Sequence, residues 1–190
     1  MDLTFTATVV TAIVTILVAF VGYLITYWNN IRLSQRSEQL ERVNKQLAEL
    51  YGPLYSLSNT GREAYRAFRK KYRMGVHYFG DDPPPSDEDL KAWRLWMTTV
   101  FMPRNLQLQQ LIVSKSDLLI ETDMPSCLQD LCIHIAAYQT ILKKWENNDF
   151  SEHNSLINFP GSELQEYSRR SFKILKEKQK RLIGEIDKSK

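Results

Sequence analysis

The sequence predicts an all-helical protein, with one N-terminal transmembrane helix followed by a cytoplasmic bundle of four to five helices. Three observations predict it. Residues 3–28 form a run of 26 residues without a charge, longer than the roughly 20 needed to cross a hydrocarbon core of about 30 Å. Beyond that run apolar residues recur at helical spacings, and no strand-type alternation appears. Glycine, proline and short polar runs divide the remainder into segments of bundle-helix length.

The first element, residues 1–30, reads as an anchor. A secretory signal peptide needs a basic leader, a short apolar core and a small-residue cleavage site; here the leader is Met1-Asp2 and the apolar run is long. Tyr23, Tyr27 and Trp28 gather at its far end, where amphipathic rings favour the headgroup layer. Arg32, Arg36, Arg42 and Lys45 follow the span and none precedes it. Basic flanks stay in the cytoplasm, so the expected orientation is N-terminus out and domain in.

Within the span, Thr4, Thr8, Thr11, Thr15, Gly22 and Thr26 fall at steps of three and four, with Val18 completing the series. This draws one small, partly polar stripe along the helix. Lipid gives no reward for burying leucine on leucine, so small residues and hydroxyls mark where membrane helices approach closely. The stripe therefore predicts helix packing between copies and, if several copies close a ring, a pore-lining surface. The alternative is threonine tolerated in lipid with its hydroxyl bonded one turn back.

The second element, residues 31–57, is a juxtamembrane helix with Leu33, Leu40, Val43, Leu47, Leu50 and Leu54 at heptad steps. That seam serves either a coiled coil between copies or packing inside the domain. At Gly52-Pro53 the helix is expected to kink or break, and to resume towards Tyr72. Residues 58–190 form the rest of the cytoplasmic domain.

Residues 74–86, with two glycines and three consecutive prolines, predict a loop. Ser86 with Asp89 predicts a capping pair for a helix carrying Leu90, Trp93, Met97 and Val100. Pro103 starts a new helix or bends the old one. A further helix is expected from Pro125 to Trp145, carrying Leu128, Leu131 and Ile135. Residues 147–161 are polar and irregular. Ser162 with Gln165 then predicts a second capping box, opening a last helix with Leu164, Phe172, Leu175, Leu182 and Ile186.

Chemistry is sparse. No phosphate-binding glycine loop, no His-Glu-x-x-His and no Gly-x-Ser-x-Gly occurs. Of the three histidines, His134 lies in an apolar helix, while His77 and His153 lie in irregular segments. Cys127 and Cys132 fit either redox compartment. No catalytic residue, metal site or cofactor is expected. Basic residues concentrate on two helices. Arg62, Arg66, Arg69, Lys70, Lys71 and Arg73 surround Tyr65, Phe68 and Tyr72, and a second group runs from Arg169 to Arg181. Either can meet phosphate backbones or anionic lipid, or stand as a solvated face. A net charge of +3 does not by itself argue for nucleic acid.

The blocks EQLERVNKQLAELYGPLYSL, AWRLWMTTVFMP, MPSCLQDLCIHIAAYQTILKKW and DFSEHNSLINFP resemble a group of small bacterial single-pass membrane proteins of uncharacterised function. The resemblance implies a bacterial inner-membrane location. The layout of one span plus a compact helical domain is similar to the membrane accessory family of type VI-B CRISPR systems, which is related to HEPN domains and forms membrane pores. A HEPN ribonuclease would carry an arginine and a following histidine with four to six residues between them. Arg73 and His77 have only three residues between them, and neither His134 nor His153 has an arginine at that distance.

The expectation that follows is a non-enzymatic, self-associating membrane protein, a bacterial antiviral defence accessory or effector that forms a homo-oligomer in lipid and perturbs the membrane. The alternative is a membrane-tethered adaptor that holds a protein partner or nucleic acid through its basic helices. A degenerate HEPN-like ribonuclease ranks last.

Overall fold

The computed structural model describes residues 3–75, 77–80 and 82–187, and the side chains of Leu3, Thr4, Thr6 and Asp187 lie outside what it describes. Every regular element among the described residues is helical. In chain order they are α1 (Leu3–Gln46), a π turn (Leu47–Tyr51), α2 (Gly52–Tyr72), α3 (Asp87–Trp96), a second π turn (Met97–Phe101), α4 (Met102–Ser114), a 3-10 turn (Ser116–Leu118), α5 (Ser126–Glu146) and α6 (Gly161–Asp187). By its contacts the chain divides into two units, one running to Val43 and rejoined from Lys178 onward, the other spanning Asn44–Glu177.

The first unit contains the one helix, among the described residues, that is long and apolar enough to cross a membrane. Its large side chains stand exposed, from Phe5 through Ile16 and Val18 to Trp28. Charge-free length and outward-facing branched residues are what a lipid solvent selects. Tyr23 and Tyr27 stack with ring centroids 6.2 Å apart, one helical turn from each other. Past the apolar stretch, Arg36 lies 3.7 Å from Glu185 of α6, and Val43 and Leu182 are buried.

The second unit is built around leucines and aromatic rings. Leu50, Leu54, Phe68, Leu108, Leu128, Leu131 and Ile135 are completely buried. Phe68 of α2 is the hub, with Tyr72, Tyr78, Trp93, Trp96 and Phe101 all placing ring centroids within 5.8 Å of it. Aromatic pairs at these separations add to what burial alone supplies. α3 begins as its sequence predicts. Ser86 Oγ accepts from the Asp89 amide while the Asp89 carboxylate accepts from the Ser86 amide, a complete capping box.

Pro103 opens a new helix, as expected, whereas Gly52-Pro53 does not break one. At Gly52-Pro53 the path widens instead. The Gly52 amide donates to Leu47 O, five residues back, and Pro53 enters the first turn of α2. The same device precedes Pro103, where the Met102 amide donates to Met97 O. A proline lacks the amide an α-helix needs and crowds the carbonyl four residues before it; one π turn moves that carbonyl aside. Gly52 is required by this geometry, because a Cβ there would lie 2.5 Å from Leu47 O.

At the last helix the predicted capping box is not formed. α6 starts at Gly161, directly after Pro160, and Ser162 Oγ donates to the Glu163 carboxylate rather than capping a backbone amide. The irregular residues 147–160 are nevertheless well held. Tyr138 Oη donates to His153 O at 2.6 Å, Trp145 Nε1 to Glu152 O at 2.8 Å, and Trp93 Nε1 to Tyr138 Oη at 2.8 Å.

Candidate binding groove on α2

α2 turns a narrow face inward, with Leu54, Ser58, Gly61 and Phe68 buried at steps of four, three and seven. That phasing leaves Arg62, Arg66, Arg69 and Lys70 on the outer side, where two successive turns present them together. With Tyr65, Met74 and Gly75 they line a groove of about 480 Å³. Gly75 closes one end in a turn with φ of +88°, a conformation that suits glycine. The Tyr65 ring is 38% exposed. It lies nearly parallel to Phe68 at 6.5 Å and edge-on to Phe101 at 6.0 Å, so the core braces it from behind.

The cations in the groove differ in anchorage. Arg62 Nη1 donates to Gln165 Oε1, tying the groove to α6. Arg66 pairs with Glu63 at 3.1 Å on an exposed surface, a pairing worth about 0–1 kcal/mol and readily exchanged. Arg69 and Lys70 sit in the last turn of α2, where the backbone carbonyls favour positive charge.

The two remaining residues of the predicted basic surface lie elsewhere. Lys71 is over the Tyr72 ring at 5.2 Å and does not line the groove. Arg73 is buried, contrary to its assignment to a surface. Its Nη2 donates to Pro83 O at 2.5 Å, its Nη1 lies 3.7 Å from the Asp89 carboxylate, and its guanidinium faces the Tyr78 ring. It fastens the 74–86 loop to the start of α3. Asp89 and burial together hold the Tyr78 phenol well above its ordinary value, with burial the larger cause.

In the small-residue stripe of α1, Thr11, Thr15 and Thr26 donate their hydroxyls to the carbonyls of Ala7, Thr11 and Gly22, each at 2.9 Å. These protons are engaged within their own helix, so what the stripe offers a neighbour is chiefly small size. Gly22 has nothing within 4 Å of where a Cβ would stand, and Thr8 is exposed. The side chain of Thr4 lies outside the described residues. In the heptad seam, Leu33 and Leu40 are half-buried, whereas Val43, Leu47, Leu50 and Leu54 are buried within this one chain. The second half of the seam is therefore occupied by the chain's own packing.

None of the three histidines lines the groove. His134 is buried with Nδ1 donating to Ile157 O at 2.6 Å, and His153 Nε2 accepts from Arg94 at 2.8 Å. Burial lowers both imidazoles below their ordinary value, and the Arg94 charge lowers His153 further. Both serve to hold residues 147–160. Cys127 and Cys132 are free thiols, raised by burial. Among the described residues no group of three His, Cys, Asp or Glu could hold a metal ion.

Three arrangements escaped sequence reasoning. The Arg94–His153 pair joins residues 59 apart. Tyr167 Oη donates to Glu121 at 2.9 Å while Tyr51 Oη accepts from the Ile120 amide at 2.9 Å, clamping the start of the 120–125 segment. Most unusual is Arg104 of α4, whose guanidinium packs directly against Gly61 of α2. A Cβ on Gly61 would overlap its Nη1. Nη2 donates to Asn105 Oδ1 at 2.8 Å, but Nε and Nη1 are buried without a hydrogen-bond partner. No sequence signal marks it, except that a glycine in the middle of a helix often records a close approach. Compared with known proteins, the chain matches no family model, no curated protein and no solved structure.

Proposed function

We propose that this chain is a membrane-tethered, non-catalytic binding module, anchored by the apolar part of α1 and holding an anionic partner in the groove on α2. One observation carries the reading. Arg62, Arg66, Arg69 and Lys70 converge on a single groove beside an exposed, braced ring, in a chain whose formal net charge is only +3. Cations gathered on one face create a local field that a surface of evenly mixed charge lacks. The basic residues just after the span favour a cytoplasmic domain, and the sequence resemblance favours a bacterial inner membrane.

The test uses the full-length protein in mild detergent on immobilised heparin, a general polyanion. Wild type is expected to elute at high salt and the double variant Arg62→Glu, Arg66→Glu at much lower salt. Equal elution would remove the groove from consideration. Alkaline carbonate extraction of membranes tests the anchor, since release into the supernatant is incompatible with a spanning helix.

A second reading is self-association through α1, including a ring around a water-filled path. It is favoured by the exposed stripe and the open Gly22, and is weakened by burial of Val43, Leu47, Leu50 and Leu54 within one chain. Cross-linking in membranes checks it. A monomer that Thr11→Leu and Thr15→Leu leave unchanged would exclude a packing role for the stripe.

A further inference from the structure

We propose that the anion taken by the α2 groove is single-stranded nucleic acid, with Tyr65 as the platform on which one base stacks. The proposal rests on the reading of the groove as an anion site and names its ligand. Three features of the groove select this class.

The first is the cation type and spacing. Three of the four cations are arginines, whose planar guanidinium pairs with phosphate in a forked geometry and also stacks on flat groups. Arg62, Arg66 and Lys70 rise along α2 by about 6 Å per four residues. That step is of the order of the spacing between successive phosphates in an extended strand. Arg66 is held only by the exposed Glu63, so a phosphate can replace that partner.

The second is the ring. An exposed tyrosine at the edge of a core is ordinary, but Tyr65 lines the same groove as the four cations, beside the core rings Phe68 and Phe101. Bases stack on such rings whatever their identity, provided they are unpaired. A duplex keeps its bases stacked on each other and offers the ring nothing. An acidic peptide or a lipid headgroup would satisfy the charges and leave Tyr65 idle.

The third is shape. The groove is an open trough along one helix rather than an enclosed cavity, which suits a chain that enters and leaves. Its positive surface also continues. Arg62 meets Gln165, and one turn further along α6 stand Arg169 and Arg170, both exposed. Tyr55 stacks on Phe172 at 5.2 Å, fixing α2 and α6 in this antiparallel pairing.

The experiment is fluorescence anisotropy of a labelled uridine oligonucleotide, and of the same strand in duplex, with the full-length protein in detergent micelles. Single strand is expected to bind at least about tenfold more tightly than duplex. Tyr65→Phe should leave the affinity unchanged, and Tyr65→Leu, which keeps apolar volume against Phe68 and Phe101, should weaken it about tenfold. Glu63→Gln should strengthen it. Full affinity in Tyr65→Leu, or equal affinity for duplex, would overturn the proposal. If no oligonucleotide binds while heparin retention still depends on Arg62 and Arg66, the ligand class is wrong and the groove reading stands. If neither probe depends on those arginines, both fall. Binding instead to phosphatidylglycerol vesicles and not to those of phosphatidylcholine alone, with no oligonucleotide bound, would assign the groove to lipid and overturn the nucleic-acid class.

Discussion

Replacing Arg104 with methionine should make this fold more stable, although it removes a charged, half-buried side chain in contact with two rings. The wild-type guanidinium has two buried donors without acceptors. An unmet buried donor costs about 1–3 kcal/mol. Methionine removes both and fills most of the same space, while the loss of Nη2 orphans Asn105 Oδ1, in a residue only 2% exposed. Two orphans disappear and one appears, so the net gain is about 1–3 kcal/mol, in line with other replacements of buried charge by apolar isosteres.

Urea denaturation of the full chain in micelles, followed by far-ultraviolet circular dichroism and tryptophan fluorescence, measures it; the midpoint should rise with an unchanged slope. Gly61→Ala completes a double-mutant cycle. In wild type the new Cβ displaces the guanidinium and cancels the helix-propensity gain of about 1 kcal/mol, whereas beside methionine the gain should emerge. A loss of stability of about 1 kcal/mol or more in Arg104→Met would refute the reasoning, because it would mean that the guanidinium has a partner strong enough to offset its burial.

The remaining predictions concern single elements. Gly52→Ala should destabilise by more than about 1 kcal/mol despite alanine's better helix propensity, since its Cβ meets backbone at Leu47 O; thermal melting measures it. Ser86→Ala should cost about 1 kcal/mol through loss of the capping box, with Ser86→Gly milder. His134 and His153 have folded values below the ordinary 6.5. The unfolded state therefore takes up protons first, and their contribution is complete above that value and falls as pH drops through it. Melting temperature should decline between pH 7.5 and 5.5, and His153→Gln should flatten part of that decline.

What sequence alone could supply divides along physical lines. The 26-residue uncharged run, the Ser86-Asp89 box and the basic face of α2 are local signals, each carried by neighbouring residues, and each was legible. The heptad seam was legible as a seam but not as to its partner, because leucines at those steps look the same whether the facing helix belongs to this chain or another. Arg73 read as one more surface cation, since nothing local announces that Pro83 O and Asp89 would close around it. Gly52-Pro53 read as a kink or break, and Pro103 as a helix start or bend, because proline's preference is known, while the π turn that accommodates each depends on how the flanking helices are held by the core. Arg94 with His153, and Arg104 with Gly61, are joined only by the fold.

The π turn before Pro103 leaves α3 and α4 as one path in which chain length and axial length no longer correspond. A residue advances an α-helix by about 1.5 Å and turns it by about 100°. A wide turn absorbs one residue with little of either, like a joint that lets a rail change length without moving its ends. Deleting a residue inside Met97–Phe101, with Pro103→Ala to relieve the restored α turn, is therefore a change that the flanking faces can survive, with Trp93 and Leu108 still pointing inward. The same deletion a few positions away, at Leu95 or Gln107, would swing every later side chain by about a quarter turn and carry Leu108 or Ile112 out of the core. Length variation in this domain should accordingly gather just ahead of its helical prolines, and go with loss of the proline itself.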